Sequence, residues 1–300
     1  VSRPLPIALV QAPSLADPLA ADALDRFEAD VTSVLRRFPQ TRLVVHPELH
    51  TTDPTGLTEA DAGRLAEPLD GPRVTRLREV AARAGVWLVP GSVLEAGAAG
   101  AVHNTALLLS PTGDLHASYR KIFPWRPYEP TTPGGQFVVA DLDGIGRVGL
   151  AICYDSWFPE HARQLAWLGA EVVVTVVMTT SSDRAQELVL TRANAIANQV
   201  HVVAVNTAGP AGTGRSLVVD PEGRVRVDSP DAMPCVLVDV LDLDDVPRVR
   251  RFGTAGLNRL WEQFAEGDAP LELPAYGGRM DPATWRPAAG PAEGTPYSGG

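Results

Sequence analysis

Apolar residues in this chain gather into short continuous runs, at Pro6–Gln11, Leu43–His46, Val86–Ser92, Thr105–Ser110, Val148–Ile152, Val172–Val177, Val200–Asn206, Ser216–Asp220 and Cys235–Val240. Runs of this length read as strands, and their lack of strict alternation fits sheets covered on both faces. Between several of them the pattern turns helical, at about Asp17–Arg37, Asp61–Ala84, Pro159–Leu168 and Ser182–Asn198. This succession predicts an α/β protein. Turn sequences at Pro111-Thr112-Gly113-Asp114 and Pro221-Glu222-Gly223-Arg224 add antiparallel hairpins, so mixed sheets are expected. No linker, short repeat or low-complexity block interrupts Pro6 to Trp261, which predicts one domain over 1–266. The remainder, 267–300, is rich in Pro, Gly and Ala with scattered Tyr276, Trp285 and Tyr297. It is too poor in apolar periodicity for a core of its own and is expected to wrap over the body or a partner subunit, or to fray.

Composition narrows the function classes. The 300 residues are 45% hydrophobic, and 26 Lys and Arg against 36 Asp and Glu give a net charge of −10. That balance argues against nucleic-acid and anionic-membrane partners, which reward clustered basic residues. No apolar run approaches the roughly eighteen residues that span a bilayer. The opening VSRPLPIALVQAP leads straight into a strand without a signal-peptide core, so a cytoplasmic enzyme acting on a small molecule is expected. Two cysteines, Cys153 and Cys235, do not make a disulfide scaffold. Both are expected as reduced thiols, with Cys235 buried on a strand and inert.

Cys153 is the residue with chemical promise. In RVGLAICYDSWFPE it sits where an apolar strand gives way to a helix that Pro159 can open. Backbone N–H groups and the positive end of a helix dipole at such a junction favour thiolate, although a lone cysteine after a strand also reads as a small core residue. A thiol nucleophile needs a base and a cation to steady the oxyanion. Glu48, in LVVHPELH, follows a strand and should project from its carboxyl end. Lys121 follows the strand Leu115–Arg120 in SYRKIFPWRPYEP, an unusual composition for a surface loop, and Glu129 lies eight residues further on. Taken singly, each of these charges reads as solvated surface; their combination points to chemistry.

These segments resemble the nitrilase superfamily, the carbon–nitrogen hydrolases with a Glu-Lys-Cys triad. Its motifs occur in order as HPELH, YRKIFPW and GLAICYDSWFPE, with the later Gly-x-Ser-x-hydrophobic-x-x-Pro-x-Gly signature running from Gly214 through Ser216 and Pro221 to Gly223. The resemblance covers about Pro6 to Phe264. It implies a four-layer α-β-β-α sandwich that pairs as a homodimer or higher homo-oligomer through helices, including that near Pro159–Leu168. It also implies that Cys153 attacks a carbonyl or nitrile carbon, that Glu48 is general base and acid, and that Lys121 and the backbone N–H of Tyr154 hold the oxyanion. Glu129 matches the second glutamate, which positions substrate and supports the lysine. A neighbouring Lys and helix terminus are expected to raise the thiolate fraction, and burial to raise the Glu48 pKa. No metal or other cofactor is implied.

Tyr154-Asp155 stand where true nitrilases usually carry Trp-Glu, and Lys121-x-x-Pro-Trp-x-Pro-x-Glu129 is closest to aliphatic amidases, while CYDSWFPE is closer to amidases of carbamoyl and omega-amide substrates. Both favour a small-molecule amide over a nitrile. Leu49 replaces the tyrosine that aliphatic amidases carry after the glutamate, which weighs against a preference for the smallest amides. Trp125, Tyr128, Trp157, Met178 and Thr179 are candidate substrate-pocket residues, equally readable as core. Arg126 and Arg184 are candidates to bind a substrate carboxylate, though surface solvation explains each as well. Three competing readings carry less weight. Gly209 to Ser216 has P-loop spacing but Arg215 in place of lysine, and runs into a strand. His46, Glu48 and His50 would share one face of an extended strand, as a zinc site requires, but a third histidine is not obvious. A catalytically silent scaffold has no reason to retain Glu48, Lys121 and Cys153 together.

Overall fold

The computed structural model describes residues 2–15, 22–52, 58–273 and 278–280. Strands β1 (Pro4–Gln11), β2 (Leu43–Val45), β3 (Trp87–Val89), β4 (Ser92–Ala96), β5 (Val102–Leu109) and β6 (Leu115–Arg120) build one sheet. A second takes β7 (Val139–Asp141), β8 (Arg147–Ile152), β9 (Val172–Val177), β10 (His201–Asn206), β11 (Leu217–Val219) and β12 (Val225–Asp228). Strand β13 (Cys235–Asp242) then returns to pair antiparallel with β1. Each sheet has a parallel centre, β1-β2-β3 and β8-β9-β10, flanked by antiparallel strands. The mixed sheets are thus as the turns predict.

Successive residues on a strand face opposite ways, and here both faces are covered. Val172, Val174 and Val176 of β9 pack with Leu5, Ile7 and Leu9 of β1 in a core between the sheets. Val173 turns outward onto Leu165, Ala166 and Ala195, from helices α4 (Pro159–Trp167) and α5 (Arg184–Asn198). On the other side Ala8, Val10 and Val44 meet Phe27, Val31 and Leu77, from α1 (Ala23–Arg37) and α3 (Pro72–Ala84). The layers are helix, sheet, sheet, helix.

Several boundaries move for local reasons. The helix expected over Asp61–Ala84 is two, α2 (Glu59–Leu65) and α3, because Pro68 and the Gly71-Pro72 pair close one and open the other. The run Val86–Ser92 splits into β3 and β4 at Pro90-Gly91. Short β7 and β12, and the polar helix α6 (Asp245–Phe252), carry too little apolar pattern to be read in advance. Cys235 does open a strand, yet it is half-buried and not sealed in the core. Asp17–Ala21 of the expected first helix, and Tyr276, Trp285 and Tyr297 of the tail, lie outside the described residues. Within that tail Leu271–Leu273 pairs antiparallel with Gly278–Met280.

Gly91 has a φ of +93°, and a Cβ there would collide with the Pro47 carbonyl. It therefore lets the β3–β4 bend pass under the turn that carries Glu48. Replacing it, Gly91→Ala, should destabilise the fold by about 2 kcal/mol or more. Denaturant unfolding of the two proteins checks this; equal midpoints at equal slope would refute the close-approach argument.

Candidate active site

The carboxyl ends of strands from both sheets converge on one cavity of about 460 Å³. Beyond β2 the chain turns at once, with Leu49 at φ +49° and its N–H bonded to Ser92 Oγ at 3.0 Å, and this turn buries the Glu48 carboxylate. Lys121 leaves the end of β6, with its N–H on the Asn104 carbonyl and its own carbonyl accepting from Gly134 N–H. A Cβ on Gly134 would strike the Arg120 carbonyl, which gives position 134 its reason for glycine. The Lys121 ammonium, 2% exposed, donates to Glu129 Oε2 at 2.6 Å and to Glu48 Oε1 at 3.0 Å.

Glu129 is held from several directions. Besides Lys121, Asn104 Nδ2 donates to it at 3.0 Å, Trp125 N–H at 3.0 Å and Thr131 Oγ1 at 2.9 Å. Asn104 also donates to Glu48 Oε1 at 2.8 Å and so braces both carboxylates. A polar residue at the head of β5, just before the apolar run Ala106–Leu109, was the signal that could have revealed it.

Cys153 closes β8 with φ +45°, a left-handed conformation that costs a non-glycine residue roughly 1–2 kcal/mol. Fully buried Asp155 maintains it, accepting from the N–H groups of Ile152 and Phe123 at 2.9 and 3.0 Å and from the Tyr119 hydroxyl at 2.7 Å. One carboxylate thus ties the Cys153 turn to both flanks of Lys121. Burial raises its pKa to about 6, and lowers that of His161, 2.7 Å from the same hydroxyl, to about 3. The Cys153–Trp157 segment is a 3-10 turn, and α4 begins only at Pro159.

The electrostatics correct one expectation. Burial and then the Glu48 charge push the Cys153 thiol well above its ordinary pKa, against an opposing pull from Lys121. Lys121 favours the thiolate as expected, but burial and the glutamate charge outweigh it, and the α4 N-terminus lies further on, at Pro159. Burial alone would depress the Lys121 pKa, but Glu48 and Glu129 hold it well above the usual value. Burial likewise raises Glu48, as expected, with Lys121 opposing, whereas in Glu129 the lysine and hydrogen bonds outweigh burial and lower it.

Other candidates fall into place unevenly. Met178 and Thr179 line the cavity after β9, with Thr179 Oγ1 3.9 Å from Cys153 Sγ. Trp125 and Tyr128 line its mouth, 41% and 68% exposed, and not as core packing. Tyr154 also lines it. Trp157 does not; its Nε1 points at Glu187 Oε1, 3.5 Å away. Arg184 is buried rather than solvated, and bonds Glu187 and the carbonyls of Gly214 and Arg215. Glu187, which the sequence did not single out, lines the cavity and accepts from Thr179 Oγ1 at 2.6 Å. His46 and His50 do not flank Glu48 on an extended strand, because the strand ends at Val45; their buried rings stand 4.9 Å apart beside Phe27. Among the described residues no group of three His, Cys, Asp or Glu side chains has metal-holding geometry. The P-loop-like stretch is the loop into β11, where Ser216 bonds Gln11 Oε1 and the Asn206 N–H, and Asn206 Oδ1 accepts the Thr179 N–H.

Residues 6–251 match the carbon-nitrogen hydrolase family model. The chain belongs to that family. Among its relatives, a formamidase of Pseudomonas syringae pv. tomato is 31% identical over 226 residues, 72% of this chain and 65% of that protein. A deaminated glutathione amidase of Mus musculus is 35% identical over 54% of this chain and 56% of its own length. This carbon-nitrogen hydrolase therefore matches somewhat under two thirds of those relatives' lengths. Saccharomyces cerevisiae Nit3, of the nitrilase superfamily, superposes with a TM-score of 0.74 at 25% identity, covering 83% of this chain and 93% of Nit3. An amidase from Nesterenkonia sp., solved with the acetamide moiety of fluoroacetamide added covalently at its active-site cysteine, gives 0.67 at 26% identity over 82% and 94% of the chains.

Because Glu48 adds to the burial that holds the proton on sulfur, Glu48→Gln should lower the Cys153 pKa. In a Cys235→Ser background, the pH profile of Cys153 alkylation by iodoacetamide should shift to lower pH in the Glu48→Gln protein. An unchanged or upward-shifted profile would contradict this electrostatic account.

Proposed function

We propose that this chain hydrolyses a linear, non-peptide amide, whether aliphatic, omega- or N-carbamoyl, to a carboxylic acid and ammonia or an amine. The observation that carries the reading is the buried Lys121 ammonium shared by Glu48 and Glu129 in the same cavity as the Cys153 thiol. The amidase names of the relatives and the cysteine adduct of the Nesterenkonia enzyme support it.

A thiol of raised pKa needs its proton removed as it attacks, and a carboxylate whose own pKa burial has raised is suited to that transfer. Glu48 takes the Cys153 proton while sulfur bonds to the amide carbon and the carbonyl electron pair moves onto oxygen. An ammonium has three N–H donors, and Lys121 gives two of them to Glu48 and Glu129. The third, with the Tyr154 backbone N–H, receives the oxyanion. Collapse expels the nitrogen, which leaves with the proton from Glu48, and a thioester remains. Glu48 then deprotonates water for attack on the thioester, and the departing sulfur regains its proton. Glu129 and Asn104 keep the lysine in place through both halves.

Cys153→Ala should lower kcat/KM by roughly 10⁴-fold or more, and Lys121→Met by roughly 10²-fold or more, with circular dichroism verifying the fold. Ammonia release across short amides, carbamoyl amines and the matching nitriles is the assay. Mass spectrometry of the parent quenched during turnover should show the acyl mass on Cys153. Normal turnover by Cys153→Ala, or release from nitriles alone, would overturn the amidase reading.

A further inference from the structure

The charge inside the cavity names a substrate class for the proposed amide hydrolysis, and this inference rests on that reading. Four carboxylates line the cavity, those of Glu48, Glu129, Asp183 and Glu187. Among the described residues, Lys121 is the one basic side chain that does so, and it is already bonded to two of those carboxylates. Of the two guanidiniums that the sequence offers to a substrate carboxylate, Arg126 is exposed and does not line the cavity, and Arg184 is spent elsewhere. Its Nε and Nη2 donate to the Gly214 and Arg215 carbonyls at 3.1 and 2.8 Å, and its Nη1 donates to Glu187 Oε2 at 3.1 Å. Buried at 3% exposure, it does not line the cavity.

Even with Arg184 counted, four negative charges face two positive ones. A substrate carboxylate would shed its hydration on entry and find no cation in exchange, whereas an ammonium or a neutral polar end would meet acceptors. Thr180 in the same lining supplies a neutral hydroxyl, and Ser181 donates its own to Asp183 Oδ1. The space is ample for such a tail, since 460 Å³ exceeds many times the roughly 30 Å³ share of one water.

We propose that the cavity admits amides whose distal end is neutral or cationic and rejects those that carry a carboxylate. Within the omega-amides and carbamoyl compounds, this selects amides and carbamoyl amines over amidic acids and carbamoyl amino acids.

Three amides of similar length test it: valeramide, its terminal-amine analogue and glutaramate. Glutaramate should show a kcat/KM roughly 10-fold or more below valeramide, with the amine analogue equal to or above valeramide. Asp183→Asn, which keeps the side chain's shape, should narrow the glutaramate-to-valeramide ratio by roughly threefold. A merely structural role for Asp183 would leave that ratio unmoved, and an unmoved ratio overturns the assignment to the acidic wall. Calorimetric titration of Cys153→Ala with the same three compounds reads the order without turnover. Glutaramate bound or hydrolysed as well as valeramide overturns the charge selection alone. If the parent hydrolyses none of the three while Cys153→Ala still binds valeramide over glutaramate, the proposed reaction fails and the selection stands. Failure of Cys153→Ala to bind either non-anionic amide overturns the selection.

Discussion

One ammonium buried between two carboxylates is the constraint on which the site depends. Taking Lys121, Glu48 and Glu129 out of water is costly, and only close geometry with further hydrogen bonds offsets it. The surrounding donors supply those bonds: Asn104 to both carboxylates, and Thr131 with the Trp125 N–H to Glu129. The cluster still carries more negative than positive charge when both glutamates are ionised. Burial first, and then the Glu48 charge, push the neighbouring thiol's pKa up, with Lys121 opposing and Glu187 adding.

Such a cluster needs walls that do not yield, and the two-sheet architecture provides them. Each strand end delivers one group: β2 leads to Glu48, β6 to Lys121, β8 to Cys153 and β9 to Thr179. Polar bonds then lock the ends to one another. Asp155 joins the Cys153 turn to both sides of Lys121, and the Ser216–Asn206–Gln11 bonds fix the Thr179 turn across the sheets. The left-handed backbone at Cys153 persists because the Asp155 bonds over-determine it, and at Leu49 the Ser92 hydroxyl holds the N–H.

Much of this was legible in advance because the strands are buried on both faces and so write themselves as continuous apolar runs. The charged residues stood out by being wrong for their surroundings, as Lys121 does among prolines and aromatics. Asn104 and Glu187 escaped notice for different reasons. Asn104 precedes the apolar run of its strand, between His103 and Thr105, and so reads as outside it; Glu187 sits on a helix where an acid is ordinary, and tertiary packing buries it. Arg184 illustrates the same limit, because its partners Gly214 and Arg215 lie thirty residues away and on another element.

The sequence by itself determined the α/β class, since strands buried on both faces leave a local pattern, and it named Glu48, Lys121, Glu129 and Cys153 as candidates, since motif spacing is local too. Only the tertiary structure decided their electrostatics. The upward shift of the Cys153 pKa, the engagement of Arg184 and the acidic balance of the cavity arise from burial and from charges brought together over long chain separations. No pattern along the chain carries that information, because the effective dielectric and the distances exist only once the sheets have packed.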